Sequence, residues 1–245
     1  MKYSFDMPLE LISFKLCPFA NRSVVTLIEK GADFDISYVD IMNTPEWFKE
    51  LSPLGKVPTL RVGDKAIFES SVINELVDEL FPGSLQPETP LIRAHNRAWI
   101  EFGGELLMDQ FQLFMAQGAD EFNEKIDKIR NKLQKLELQL GDGTYLNGEK
   151  FCLIDAAYAP LFLRFSIVDA ISPIGVMDGF PKIQRWSRAL LMRDSVKNSV
   201  VEDFSNLFLN FFASGHMVSK LFSGRIKQGM ELPFGRATPQ RTEVA

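Results

Sequence analysis

In ISFKLCPFANRSVV, Ile12 to Val25, a cysteine stands immediately before a proline, between an apolar run and a helix-like pattern. A thiol reacts as its thiolate, and a helix start favours negative charge through unpaired backbone N–H groups and the helix dipole. Pro18 suits the first helical turn, where a missing N–H costs little. At such a position a free-cysteine pKa of about 8.5 is expected to fall into the range of roughly 3.5–7.5. Arg22 adds positive charge nearby if its side chain folds back, and none if it points to solvent. The motif C-P-F-A has Ala20 where a C-x-x-C redox pair carries its second thiol, so Cys17 cannot close a local disulfide. Its natural oxidised form is a mixed disulfide with an outside thiol, and a small abundant thiol such as glutathione is the expected second reactant. The other reading is a buried, inert cysteine that only packs. Helix-start physics leaves both open.

A second chemical pair is Glu69-Ser70, ahead of the apolar spacing Val72, Ile73, Leu76, Val77, Leu80. A serine in capping position opens a helix whose free N–H groups suit a carboxylate, and the acid beside it can meet an ammonium. Taken alone, the pair also fits a plain helix cap with an exposed acid.

Positioning these residues requires a small sheet and its helices. Leu9 to Phe14 reads as a strand, Pro18 to Gly31 as a helix, and Phe34 to Ile41 as a second strand; Pro45 can sit in the first turn of a short helix. Val57 to Val62 and Ala66 to Phe68 bracket the turn Gly63-Asp64 as a hairpin, and Ser70 is expected to cap the next helix. The order βαβαββα gives a mixed sheet covered by helices, an α/β unit. FPGSLQPETP, Phe81 to Pro90, reads as a linker. Beyond it the spacing predicts helices over Leu91 to Gln117, Glu121 to Leu140, Cys152 to Ile171 and Pro181 to Met192, and another after Asp194, hence an all-helical unit. The boundaries expected are 1–82, a linker at 83–90, a helical domain at 91–223 and an extended or disordered tail at 224–245. Gly103-Gly104 inside a helical run costs about 1 kcal/mol per glycine relative to alanine, which suggests a bend or a close approach. Such a helix could bend over the site, with Trp99, Phe102, Leu106 or Tyr158 as walls of an apolar pocket, although core packing serves each of them equally well; Trp186 and Phe180 are assigned to the core.

Composition narrows the function. With 245 residues, 46% hydrophobic and 24% charged, the chain can build a sizeable core. A net charge of -5 argues against binding to nucleic acid or to anionic membranes. The apolar runs are too short to span a bilayer, and MKYSFDMPLE lacks the apolar core of a secretion signal, so a cytoplasmic location is expected. In a reducing compartment Cys17 and Cys152 stay as thiols. His95 and His216 join no cluster with metal-ligand spacing, and no metal is expected.

CPFANR at 17–22, NTPEWF at 43–48, SPLGKVPTL at 52–60 and FESSVINELVDELFPG at 68–83 resemble the cytosolic glutathione transferases, and among them the cysteine-type, omega-like branch. The likeness extends more weakly to FCLIDAAYAPLFLRF at 151–165 and FPKIQRWSRAL at 180–190. The resemblance implies a thioredoxin-like N-terminal domain followed by an all-helical domain, a homodimer, and glutathione as co-substrate. It implies that Cys17 is catalytic and faces the glutathione sulfur. It also implies a glutathione site of Phe19, Lys56, Val57, Pro58, Glu69 and Ser70: Val57 offers its backbone to the cysteinyl part beside a cis Pro58, and Glu69 with Ser70 receives the γ-glutamyl end. Two departures stand out. Omega-like members often carry a lysine where this chain has Thr44, a loss that Lys56 could offset, and the usual Ser or Thr cap three residues before Asp155 is here Cys152, expected as a buried structural residue. The function implied is a thiol transferase or reductase: deglutathionylation, dehydroascorbate-type reduction or cleavage of glutathionyl adducts, with an apolar or aromatic small molecule or a disulfide as acceptor. The alternatives are a glutathione-conjugating transferase and a non-enzymatic relative that binds partners.

Overall fold

The computed structural model describes residues 7–212. The tail expected from 224 on, the end of the helical unit at 223, and His216 lie outside the described residues.

The first half follows the expected order: β1 (Leu9–Ser13), α1 (Pro18–Glu29), β2 (Asp35–Tyr38), α2 (Glu46–Leu51), β3 (Thr59–Val62), β4 (Lys65–Phe68) and α3 (Ser70–Leu80). The sheet runs β2-β1-β3-β4. β1 pairs parallel with β2, Leu11 opposite Ile36, and antiparallel with β3, Leu11 opposite Leu60; the hairpin places Leu60 opposite Ile67. This is the thioredoxin-like arrangement. β1 is central and packed on both faces, which is why it reads as a nearly continuous apolar run. Leu9 and Leu11 join Val24 and Leu27 of α1 and Ile73 and Val77 of α3, while Ile12 packs with Val39 and Phe48 on the other face.

The second half is helical: α4 (Pro90–Met115), α5 (Ala119–Gln139), α6 (Leu153–Ile171), α7 (Pro181–Met192), α8 (Asp194–Lys197) and α9 (Phe204–Phe211). α6 is apolar nearly all round and buried along almost its whole length, as expected of a central helix. Its N-terminus is tied by Asp155, which accepts from the Cys152 N–H at 2.7 Å, the Leu146 N–H at 3.2 Å and the Trp186 indole at 2.7 Å. Gly103 marks a close approach: a Cβ there would lie 2.8 Å from the ring of Tyr158. No helix among the described residues is long and apolar enough to cross a membrane.

The halves meet along α1. Val24 and Leu27 face the sheet, whereas Val25 belongs to the helical core with α6. Each such fully buried side chain contributes about 1.5–3 kcal/mol relative to exposure. At the far end of α1, Lys30 bonds Asp78 of α3 at 2.8 Å and the Gly83 carbonyl of the linker at 2.6 Å.

Candidate functional site

Cys17 is the N-cap of α1. Its backbone N–H donates to the Phe14 carbonyl at 2.9 Å, which closes the turn between β1 and α1. The sulfur accepts from the Ala20 N–H at 3.5 Å, and the thiol donates to the Val57 carbonyl at 3.7 Å. The helix start therefore meets the thiol as expected, and it faces the Val57 backbone forty residues away in sequence.

The expectation of a lowered thiol pKa is corrected. Burial pushes the Cys17 thiol above its ordinary value, outweighing the Ala20 and Phe19 N–H groups and the charges of Arg164 and Arg22, which all act downward. A helix N-terminus stabilises a thiolate, yet low-dielectric surroundings penalise the same charge, and here the second effect is larger.

Arg22 folds back. It is buried, its Nε donates to the Ser70 hydroxyl at 2.8 Å, and its guanidinium lies 5.2 Å from the centre of the Phe19 ring. Burial lowers it to about 10. The reading of Ser70 as the helix cap is also corrected. Glu69 occupies the N-cap at φ 67, and Ser70 is the first helical residue. A non-glycine residue in the left-handed region is uncommon and often sits at a functional turn. The displaced Ser70 hydroxyl faces Arg22 instead. Glu69 is exposed, and its charge acts on Arg22.

The Val57-Pro58 bond is cis. Among the described residues the Val57 N–H has no hydrogen-bond partner. Ser52 holds the turn before it, its hydroxyl donating to the Lys56 carbonyl at 2.9 Å and accepting from the Lys56 N–H at 3.0 Å. The Lys56 side chain is exposed, and the Thr44 hydroxyl turns locally to the Ile41 carbonyl. Cys17, Val57, Pro58, Glu69 and Ser70 thus lie along one end of the sheet, at the ends of β1, β3 and β4. Phe19 contributes its N–H toward the sulfur, while its ring packs toward Gly104 of α4.

Of the suggested pocket walls, Leu106 and Tyr158 are core; the Tyr158 hydroxyl donates to the Trp99 carbonyl at 2.7 Å. Trp99 and Phe102 are half-buried and pack edge to face, their ring centres 4.8 Å apart. Trp186 is buried, and Phe180 packs at the core's edge. The aromatic surface near Cys17 is a different one. Phe14, whose carbonyl holds the Cys17 N–H, has its ring 6.2 Å from that of Phe211 on α9; Phe212, 5.0 Å from Phe211, reaches Phe111 of α4 at 6.1 Å. Phe111 and Phe211 are both exposed.

Sequence reasoning missed Arg164. It is buried in α6 and donates to the Leu16 carbonyl at 2.9 Å and the Asn21 side-chain oxygen at 3.3 Å. The available signal was a lone arginine inside the apolar run of α6. Cys152 is buried as expected, its thiol donating to the Lys150 carbonyl at 3.6 Å, and burial first, then Asp155, raises it to about 11. Among the described residues no cluster of three or more His, Cys, Asp or Glu side chains could hold a metal ion.

Known proteins are similar to this chain in sequence and fold. Glutathione S-transferase omega-1 of Sus scrofa is 27% identical over 210 residues, covering 82% of this chain and 86% of its own. Glutathione S-transferase DHAR3, chloroplastic, of Arabidopsis thaliana is 28% identical over 189 residues, 76% of this chain and 69% of its own. The crystal structure of glutathione transferase Omega 3C from Trametes versicolor matches with a TM-score of 0.66 at 26% identity, covering 79% of this chain and 89% of that one. The family model for the glutathione S-transferase N-terminal domain matches residues 16–80, and the model for its C-terminal domain matches residues 119–189. With more than half of the chain matched in the family's own domain order, this chain belongs to the glutathione S-transferase family.

Proposed function

We propose that the chain is an omega-like, cysteine-type thiol transferase or glutathione-dependent reductase that works through a Cys17–glutathione mixed disulfide. The observation that carries this reading is the Cys17 sulfur at a helix start, against the Val57 backbone, with Ala20 where a resolving thiol would stand. The omega-1 and DHAR3 relatives support it.

Glutathione would be held by Val57 and Pro58 at its cysteinyl part and by Glu69 and Ser70 at its γ-glutamyl end, with Arg22 behind Ser70 adding charge for the carboxylate. Phe19 serves through its backbone, and Lys56 is the exposed cation nearest this edge in sequence. In the first step the Cys17 thiolate attacks the glutathione sulfur of a mixed disulfide; a Cys17–glutathione bond forms and the partner leaves as its thiolate. In the second step the thiolate of another glutathione attacks the glutathione sulfur on Cys17. Oxidised glutathione leaves and the Cys17 thiolate is restored. Electrons balance without a metal: the thiol of the second glutathione is oxidised, and the partner's sulfur is reduced from disulfide to thiol. An apolar or aromatic acceptor would rest against Phe14, Phe111 and Phe211.

We also infer a homodimer. Val72 of α3 and Leu91 and Ile92 of α4 are exposed, and a groove of about 250 Å³ between these helices is lined by Val72, Ile100, Glu75, Arg97 and Glu101.

Two measurements test the function. The intact mass of the native chain after incubation with oxidised glutathione should show one glutathione, absent in Cys17→Ser. Turnover of hydroxyethyl disulfide should exceed that of Cys17→Ala, and equal rates would favour a binding protein.

A further inference from the structure

We propose that Arg164 is the positioning residue of Cys17: from the helical half it pins the turn that carries the thiol and sets a buried positive charge against the thiolate. The inference rests on the reading of Cys17 as the reacting thiol.

Arg164 is 3% exposed, in the middle of a helix whose neighbouring residues are almost all apolar. A guanidinium at such a place has lost its hydration, and buried charges are ordinarily paired with an opposite charge. Among the described residues no carboxylate lies within ion-pair distance of it. Its donors go to neutral oxygens: the Leu16 carbonyl at 2.9 Å, the Pro160 carbonyl at 2.9 Å and the Asn21 side chain at 3.3 Å. The Phe204 ring centre lies 5.2 Å away.

These partners bracket the thiol. Leu16 immediately precedes Cys17, and Asn21 lies in the first turn of α1, where its amide is fixed to the Ser199 hydroxyl at 2.6 Å. One guanidinium therefore grips the chain on both sides of Cys17. A buried cation whose bonds all go to neutral acceptors keeps its charge available, and the anion that can form beside it is the Cys17 thiolate.

The other charged groups around the thiol are placed differently. Arg22 of α1 is turned to Ser70 and has the acids Glu101 and Glu69 acting on it. Lys15 lies 5.6 Å from the Tyr38 ring centre, and Lys56 is exposed. The loop before β3 presents the Val57 carbonyl, and α1 presents the Ala20 and Phe19 N–H groups.

The test is the pH profile of Cys17 alkylation by iodoacetamide in the full chain, read on the Cys17 peptide by mass spectrometry and followed to its alkaline plateau. Arg164→Gln is neutral but still a donor to Leu16; it should slide the profile upward by about one pH unit and slow the reaction about tenfold at fixed neutral pH. Arg164→Lys should stay within about threefold of the native chain, because it keeps the charge. Should the glutamine variant not fold, Arg164→Met fills similar space without charge and carries the same expectation. A profile unmoved along the pH axis in the neutral variant overturns the proposal, as does a lysine variant displaced as far as the glutamine one. Failure of the functional reading is separate: it appears as a native chain that takes no glutathione on Cys17, whatever Arg164 does to the alkylation profile.

Discussion

At Cys17 burial and local polarity oppose each other, and the balance shapes the chemistry. A thiol raised by burial is less often ionised at neutral pH, but the thiolate it yields is the more nucleophilic for its higher pKa. The paired cations and N–H groups are then what make ionisation reachable. Asp155 carries a second such conflict. Burial raises its carboxyl to about 6, against hydrogen bonds from Cys152, Leu146 and Trp186 that favour the charged form. Because the folded-state pKa lies above the unfolded one, the stability linked to its proton is fully present below about pH 4 and is lost as pH rises through about 6. Asp155→Asn should remove that slope, worth at most about 3 kcal/mol, and chemical denaturation across this pH window measures it. At this scale the placement of Cys17, Val57, Glu69 and Ser70 at strand ends was legible, because the strands and helices that flank them are written in short local motifs. Arg164 was not: its partners Leu16 and Asn21 lie 148 and 143 residues away in sequence, and only the packing of α6 on α1 brings them together.

The elements follow the sequence closely where apolar spacing and helix stops agree, as in α1, α6 and α7. The start of α3 was misread by one residue. Its cap depends on a positive φ at Glu69, and sequence offers no warning of that conformation outside glycine. Gly103-Gly104 was legible as an anomaly but not in its cause, which is the Tyr158 ring against α4. Alanine at 103 gains about 1 kcal/mol of helix propensity but drives a methyl into a buried ring whose hydroxyl is anchored to Trp99. Overpacking of this kind costs about 1–3 kcal/mol. Gly103→Ala should therefore lower stability by up to about 2 kcal/mol in a urea titration, and Gly104→Ala, whose Cβ would sit 3.8 Å from Phe19, should not lower it.

For the molecule as a whole, α1 is the shared wall between sheet and helical core, and its two ends are tied across the halves. Arg164 and Ser199 hold its start, while Arg193 grips Glu29 near its end with bonds of 2.7 and 2.6 Å. Geometry at Cys17 is thereby coupled to the packing of the helical half. The proposed dimer face lies elsewhere, on α3 and α4. In a twofold interface a new charge enters twice, so Val72→Glu, placed beside Glu75 and Glu101, should yield a monomer by light scattering with an unchanged circular dichroism spectrum. A variant as dimeric as the native chain would remove this face from the account. The division into a sheet half and a helical half was readable from the change of period after the proline-rich stretch at 81–90; how the halves meet was not, because that interface is built from residues far apart in the chain.

The central claim is that Cys17 is a one-thiol redox site that takes its second thiol from glutathione. Its most direct test is the intact mass of the native chain and of Cys17→Ser after exposure to oxidised glutathione, followed by reduced glutathione. The account predicts one glutathione on the native chain, none on the variant, and its removal by the second treatment. An unmodified native chain, or a serine variant that takes up glutathione equally, would contradict it.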